Sequence, residues 1–248
     1  MSIADKLQTV RAQIRNSTVA ARRPEQAVTL LAVSKTMPAE DVAAAVRHGQ
    51  RDFGENYVQE AVAKKAEVDR LLASDPEWAR PVWHFIGPLQ SNKTSEVAAH
   101  FDWFHTLDRL KIARRLSEQR PDDLPALNCC IQVNISHEDS KAGLLPDQHA
   151  LNELATAVVG LPGLTLRGLM CIPAADLDEA GLADAFRRLR DMLAELREHL
   201  GHAHPEQAEK LDTLSMGMSA DMSIAIAQGA TIVRIGQAIF GARTPTHS

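Results

Sequence analysis

Eight short apolar runs alternate with helical patterns along the whole chain, and few folds accommodate that rhythm. The runs are TLLAVSK (Thr29–Lys35), RDFGE (Arg51–Glu55), WHFIG (Trp83–Gly87), WFHTLD (Trp103–Asp108), CCIQVNI (Cys129–Ile135), LRGLMCI (Leu166–Ile172), LDTLSM (Leu211–Met216) and TIVRIG (Thr231–Gly236). Most are apolar at odd and even positions alike, as in a parallel strand covered on both faces. The segments between them carry helix punctuation. After the first run, Pro38 opens a helix, Glu40 and Asp41 follow in its first turn, and Arg47 and His48 precede Gly49. Eight strand–helix units in 248 residues have the size and rhythm of a (β/α)8 barrel. A doubly wound open sheet is the alternative. It calls for fewer strands and a glycine-rich loop after the first, whereas here the first run leads into KTMP. The barrel consumes residues 1–248 as one domain. One helix precedes it, with Leu7, Val10 and Ile14 on one face, and is expected to pack across the outside.

Charge and cysteine usage narrow the function. A formal net charge of -5 without a basic arm disfavours nucleic acid as a partner. No apolar run is long enough to span a membrane, and the first residues lack the unbroken apolar core of a signal peptide. Cys129, Cys130 and Cys171 show no CxxC spacing, which suits a reducing cytoplasm. The first two sit in an apolar run and read as buried and inert. His202 and His204 in GHAHPEQAEK have too few companions for a metal site and read as a solvated loop.

A barrel builds its active site at the C-terminal strand ends. There stand Lys35, Glu55, Asn56, Tyr57, Gln90, Asn92, Lys93, Asp108, Arg109, Asn134, Ser215, Met216 and Arg234, while the opposite ends carry few candidates. Lys35 closes an apolar strand. It is either a lysine snorkelling to solvent or an amine whose desolvation frees it to attack a carbonyl. The second reading leaves two chemistries, an imine with substrate or one with pyridoxal phosphate (PLP). The stretch SMGMSADM, from Ser215, offers glycine and free amides at a helix start, a phosphate-binding arrangement that recurs after strands seven and eight of barrels. Ser219 as a plain helix cap is the alternative. Arg234 lies inside an apolar strand, so its charge is aimed at a ligand or paired within the barrel, for instance with Asp108 or Glu55. A lysine, a phosphate cradle and a buried arginine on one rim fit a phosphorylated aldehyde held as an imine.

The motifs AVSKTMP, FGENYVQE, WHFIGPLQSNK, QVNIS, GLMCIP, LSMGMSADM and VRIGQAIFGAR together resemble the pyridoxal phosphate homeostasis protein family, which is similar to the N-terminal domain of alanine racemase. The resemblance runs from the first helix to about Arg243. It implies a single barrel like that of fold-type III PLP enzymes. It also implies PLP bound as an internal aldimine on Lys35, without established turnover. It places Ser215, Gly217 and Ser219 on the phosphate, with Met216 and Met218 lending backbone. Arg234 and Gly236 meet the pyridine nitrogen and the phosphate, and Asn56 lies near the ring. His84, Gln90 and Asn92 match the pattern without assigned roles. The chain departs from it at His137, Ser223 and Gln237, the last beside the phosphate loop.

Two other classes stay open at this point: a low-activity PLP-dependent racemase or decarboxylase, and a Schiff-base aldolase of a phosphosugar. The related racemases take their second base, a tyrosine, from a separate β-domain. Here the one tyrosine is Tyr57, and no residues remain for a second domain. Apo-forms of PLP-dependent enzymes are the implied protein partners, and a monomer is expected before a dimer.

Overall fold

The computed structural model describes residues 1–74, 78, 80–138 and 142–241. Arg243, where the motif resemblance ends, lies outside the described residues. Eight parallel strands close in sequence order: β1 (Thr29–Val33), β2 (Asp52–Glu55), β3 (Val82–Phe85), β4 (Trp103–Leu107), β5 (Leu127–Gln132), β6 (Leu164–Met170), β7 (Thr213–Ser215) and β8 (Ile232–Ile235). The last pairs with the first, Leu31 opposite Arg234. The barrel expected from the eight runs is therefore the fold.

The helices are α1 (Ile3–Ala20), α2 (Ala39–Arg47), α3 (Val58–Leu72), α4 (Thr94–His100), α5 (Leu110–Gln119), α6 (Gln148–Val159), α7 (Glu179–Gly201), α8 (Pro205–Ala208), α9 (Met222–Ala227) and α10 (Gln237–Phe240). The first is fixed by a capping box between Ser2 and Asp5. It buries Leu7, Val10, Ile14 and Thr18 against α2, α9 and α10. Arg23 then ties its end to the barrel through the carbonyls of Ile226 and Ala230, both at 2.8 Å.

Two expectations are corrected. The stretch GHAHPEQAEK, read as a loop, contains α8, because Pro205 sits at a position where its missing N–H costs nothing. The strands also end earlier than the apolar runs. β1 stops at Val33 and β5 at Gln132, so Lys35 and Asn134 stand in loops beyond the strand ends. That displacement carries Lys35 out of the ladder and onto the rim.

The main core lies between strands and helices and is aliphatic. Phe186, Leu189, Leu193, Leu196 and Leu200 form the buried stripe of α7. Phe186 is wholly buried. Phe186→Ala should cost about 3–5 kcal/mol, seen as a lower urea midpoint with an unchanged denaturant slope. Cys129 and Cys130 are buried and free, and burial pushes the Cys129 thiol up to about 12, as inert cysteines require.

Candidate functional site

A cavity of about 480 Å³ opens at the C-terminal strand ends. Of the nine site residues expected from the sequence, Lys35, Asn56, Met218, Ser219, Arg234 and Gly236 line it. Its remaining walls are mostly apolar, from Ile86, Met170, Ile172 and Phe240. Ser215, Met216 and Gly217 do not line it, and all three are buried. Tyr57 is 57% exposed and also outside the lining. Gln90, Asp108 and Arg109 border a separate, smaller cavity.

The tip of β1 is clamped on both sides of Lys35. Lys64 of α3 donates to the Ser34 carbonyl at 2.6 Å, to Glu55 Oε1 at 2.7 Å and to Glu60 Oε1 at 2.9 Å. The Ser34 hydroxyl donates to the same Glu55 oxygen at 2.7 Å. Glu60 also accepts from the Thr36 amide at 2.6 Å, and Thr36 sits at φ +64°. A β-branched residue in that region is strained, and it persists only where its surroundings hold it. Glu55 thus faces α3 rather than the cavity. Burial raises its pKa, while the Lys64 charge and the hydrogen bonds from Lys64 and Ser34 pull it back. Glu55 stands among the residues expected on the rim, and helical spacing alone does not reveal that Lys64 of α3 turns inward to meet it.

Asn56 follows Glu55 and enters the cavity wall. Its backbone packs so tightly on Gly87 that a Cβ there would lie 2.2 Å from the Asn56 carbonyl oxygen. Any side chain at position 87 would push Asn56 off the wall. Asn56 Oδ1 is buried and has no partner among the described residues. Such an orphan acceptor implies a ligand or water donor. Gly87→Ala should therefore lower ligand affinity measurably, with isothermal titration as the readout.

Arg234 is fully enclosed, yet pairs with neither Asp108 nor Glu55. Its Nη1 donates to the Ser215 carbonyl at 2.7 Å and to Ser215 Oγ at 3.0 Å, and Nη2 donates to the Cys171 carbonyl at 2.9 Å. Burial lowers its pKa, with Cys171 and Asp221 partly offsetting this. These bonds leave Nε without a protein acceptor among the described residues, and Arg234 lines the cavity.

The loop after β7 differs in detail from the expected phosphate cradle. The Met216 amide donates to the Ile232 carbonyl and the Met218 amide to Asp221 Oδ1 at 2.5 Å, so neither is free for an anion. The Ser215 hydroxyl is committed to Arg234 and His105. Ser219 is not the cap of α9; Asp221 holds that position. Ser219 stays exposed at the cavity. Gly217 takes φ +96° with a virtual Cβ 2.6 Å from Ala225 Cβ, so it shapes the loop rather than contacting a ligand. The available polar groups are the Ser219 hydroxyl and the backbone edge near Gly236.

The barrel interior below Arg234 is polar too, against expectation. His105 bonds Ser215 and His84, and His84 bonds Asp52 at the opposite end. Trp103 stacks on His84, and Arg167 lies over Trp103 and pairs with Asp212. Alternating inward positions on β3 and β4 carried this signal, masked by the apolar residues around them.

Residues 6–244 match the family described as alanine racemase, N-terminal domain. A relative from Pseudomonas aeruginosa, named pyridoxal phosphate homeostasis protein, is 53% identical over 98% of this chain and 96% of its own length. The chain belongs to the pyridoxal phosphate homeostasis protein family. The Escherichia coli member is 50% identical over 97% of both chains. Among solved structures, Synechococcus elongatus PipY with PLP bound superposes with a TM-score of 0.77 at 35% identity, covering 97% of this chain and all of that one. Alanine racemase from E. faecalis shares the fold, with a TM-score of 0.65 at 16% identity over 95% of this chain and 59% of its own.

Proposed function

We propose that this chain binds pyridoxal 5'-phosphate in the rim cavity and serves intracellular PLP homeostasis, holding the cofactor on Lys35 without appreciable turnover. The observation that carries it is the convergence of three unlike groups on one apolar cavity: the Lys35 amine, the orphan Asn56 oxygen and the uncommitted Arg234 Nε. An amine suits an aldehyde, a hydroxyl with a glycine-lined edge suits a phosphate, and an apolar wall suits a ring. Family membership and the PLP-bound relative support the same reading.

In this reading Lys35 would hold the aldehyde end of the cofactor, Asn56 would line the ring, Arg234 would donate to the ring nitrogen, and Ser219 with the Gly236 edge would hold the phosphate. PLP supplies an electron sink whose strength depends on a protonated ring nitrogen. Arg234 donates a hydrogen bond but surrenders no proton at working pH, so the sink is weakened. Tyr57 lies outside the cavity lining and offers no second base within it. The chain is then a holder of PLP rather than a racemase, a monomer, with apo-forms of PLP enzymes as recipients.

The test is to saturate the purified chain with PLP, reduce with borohydride and map the pyridoxyl group. A single tag on Lys35, with no racemisation of alanine above the free-cofactor rate, is expected. A tag spread over surface lysines overturns the assignment.

A further inference from the structure

Five polar groups join into one hydrogen-bonded column through the barrel. Asp52 opens β2 at the N-terminal end, and its Oδ1 lies 3.1 Å from His84 Nε2. His84 Nδ1 lies 2.9 Å from His105 Nε2. His105 Nδ1 lies 2.8 Å from Ser215 Oγ, and Ser215 Oγ lies 3.0 Å from Arg234 Nη1. Since β4 and β7 are not neighbours in the sheet, the His105–Ser215 bond crosses the barrel interior. His84, His105, Ser215 and Arg234 are all buried, and only Asp52, with its side chain 24% exposed, reaches solvent.

The direction of every proton in this column follows from Arg234. A guanidinium has no acceptor, so Ser215 Oγ must accept from Nη1. The single serine proton is then given to His105 Nδ1. With Nδ1 accepting, His105 carries its proton on Nε2 and donates to His84 Nδ1. His84 likewise carries its proton on Nε2 and donates to the Asp52 carboxylate. Each donor meets one acceptor and both rings are neutral. The opposite direction would strand the serine proton and require a cationic His84 or a protonated Asp52. Burial and the neighbouring His84 and Arg234 hold His105 well below the usual histidine range, in accord with a neutral ring.

We propose that Asp52, His84, His105 and Ser215 are positioning residues that fix the Arg234 guanidinium and set the strength of its hydrogen bond to the ring nitrogen of a bound pyridine. This rests on the cofactor reading above. The physical basis is polarisation along a chain of hydrogen bonds in a low-dielectric interior, each bond strengthening the next. The carboxylate makes His84 a better acceptor, which makes His105 and then Ser215 better acceptors. A stronger Ser215 acceptor holds Nη1 in one place and so fixes the guanidinium of a residue that lines the cavity. The hydrogen bond to a bound pyridine is set through this positioning and not through added acidity, because a guanidinium that donates more strongly at one nitrogen donates less strongly at the others. The column accounts for why a partly exposed carboxylate at the far mouth and two buried histidines accompany a site they do not touch.

The test has two arms. In the ligand-free chain, 15N–1H spectra of the histidine rings, assigned with H84Q and H105Q, should show both His84 and His105 as neutral Nε2–H tautomers. A Nδ1–H tautomer at His105 or an imidazolium at His84 overturns the proposal. In the second arm, PLP labelled with 15N in its ring is bound to wild type, D52N, H105F and H105Q. The ring-nitrogen signal should move toward that of a non-hydrogen-bonded pyridine in D52N and H105F, with Kd raised about two- to tenfold, the weight of one net hydrogen bond. H105Q, which retains an acceptor and a donor, should recover part of the shift. D52N alters a partly exposed residue and keeps the test open if H105F does not fold. Lower thermal stability with an unmoved ring-nitrogen signal would mean a purely structural column and overturns the tuning. If wild type binds no PLP, or R234K leaves the wild-type signal unchanged, the cofactor reading fails; the tautomer arm then still decides whether the column runs as stated.

Discussion

Lys35→Ala should leave the chain folded and abolish its covalent capture of PLP. The visible band of the complex is lost, borohydride fixes no pyridoxyl group, and PLP is removed by gel filtration. The loss should be complete rather than graded, because no other described lysine lines the cavity. Lys64, the lysine nearest in the network around the β1 tip, donates to three oxygens and faces α3. An amine so engaged has no lone pair for an aldehyde. Lys35 stands past the end of β1, only half-buried, so the truncation removes little packing and the change in unfolding free energy should stay under about 1 kcal/mol. Urea unfolding of the ligand-free variant separates the two effects. A tenacious yellow complex in the variant would sink the assignment.

The barrel was legible because its signal is long-range and redundant. Eight two-sided apolar runs with helices between them admit few arrangements, and errors of one or two residues at strand ends do not alter the closure. Lys35, Asn56 and Arg234 were legible for a related reason: each is a polar residue at or beside the end of an apolar strand. What sequence could not resolve is direction. Glu55 and Asn56 are adjacent, yet one faces α3 and the other the cavity, a choice made by strand parity once the strand end is known. Ser215 stands in a phosphate-like motif but points into the barrel, where Arg234 and His105 claim its hydroxyl. The amides of Met216 and Met218 are consumed by the ladder and by Asp221, which no motif records. The His84–His105 contact joins residues 21 apart and becomes visible only when β3 and β4 lie side by side.

Lys64→Met should cost about 3–5 kcal/mol of folding stability near neutral pH, the penalty for leaving a buried carboxylate without its cation. Side-chain exposure is 5% at Lys64 and nil at Glu55, and Glu55 Oε2 already has no partner among the described residues. Methionine fills the volume but removes all three donors. The pH dependence follows from the sign of the Glu55 shift. Its folded pKa is raised above the unfolded value, so the folded state binds the extra proton. Stability from that group is present below the ordinary carboxylate pKa and is lost as pH rises through the folded pKa. Without Lys64 the folded pKa climbs further, so the variant loses stability more steeply with rising pH than wild type does. The gap between the two should be wide at pH 8 and narrow at pH 5, where protonation neutralises Glu55. Urea unfolding at both pH values measures it, and an equal gap at the two would refute a charge-based role. The same variant should weaken PLP capture even where it is folded. Its loss releases the Ser34 carbonyl and removes the cation beside Glu60, which holds Thr36 at φ +64°. Lys35 lies between those two residues, so its amine loses the fixed position from which it meets an aldehyde.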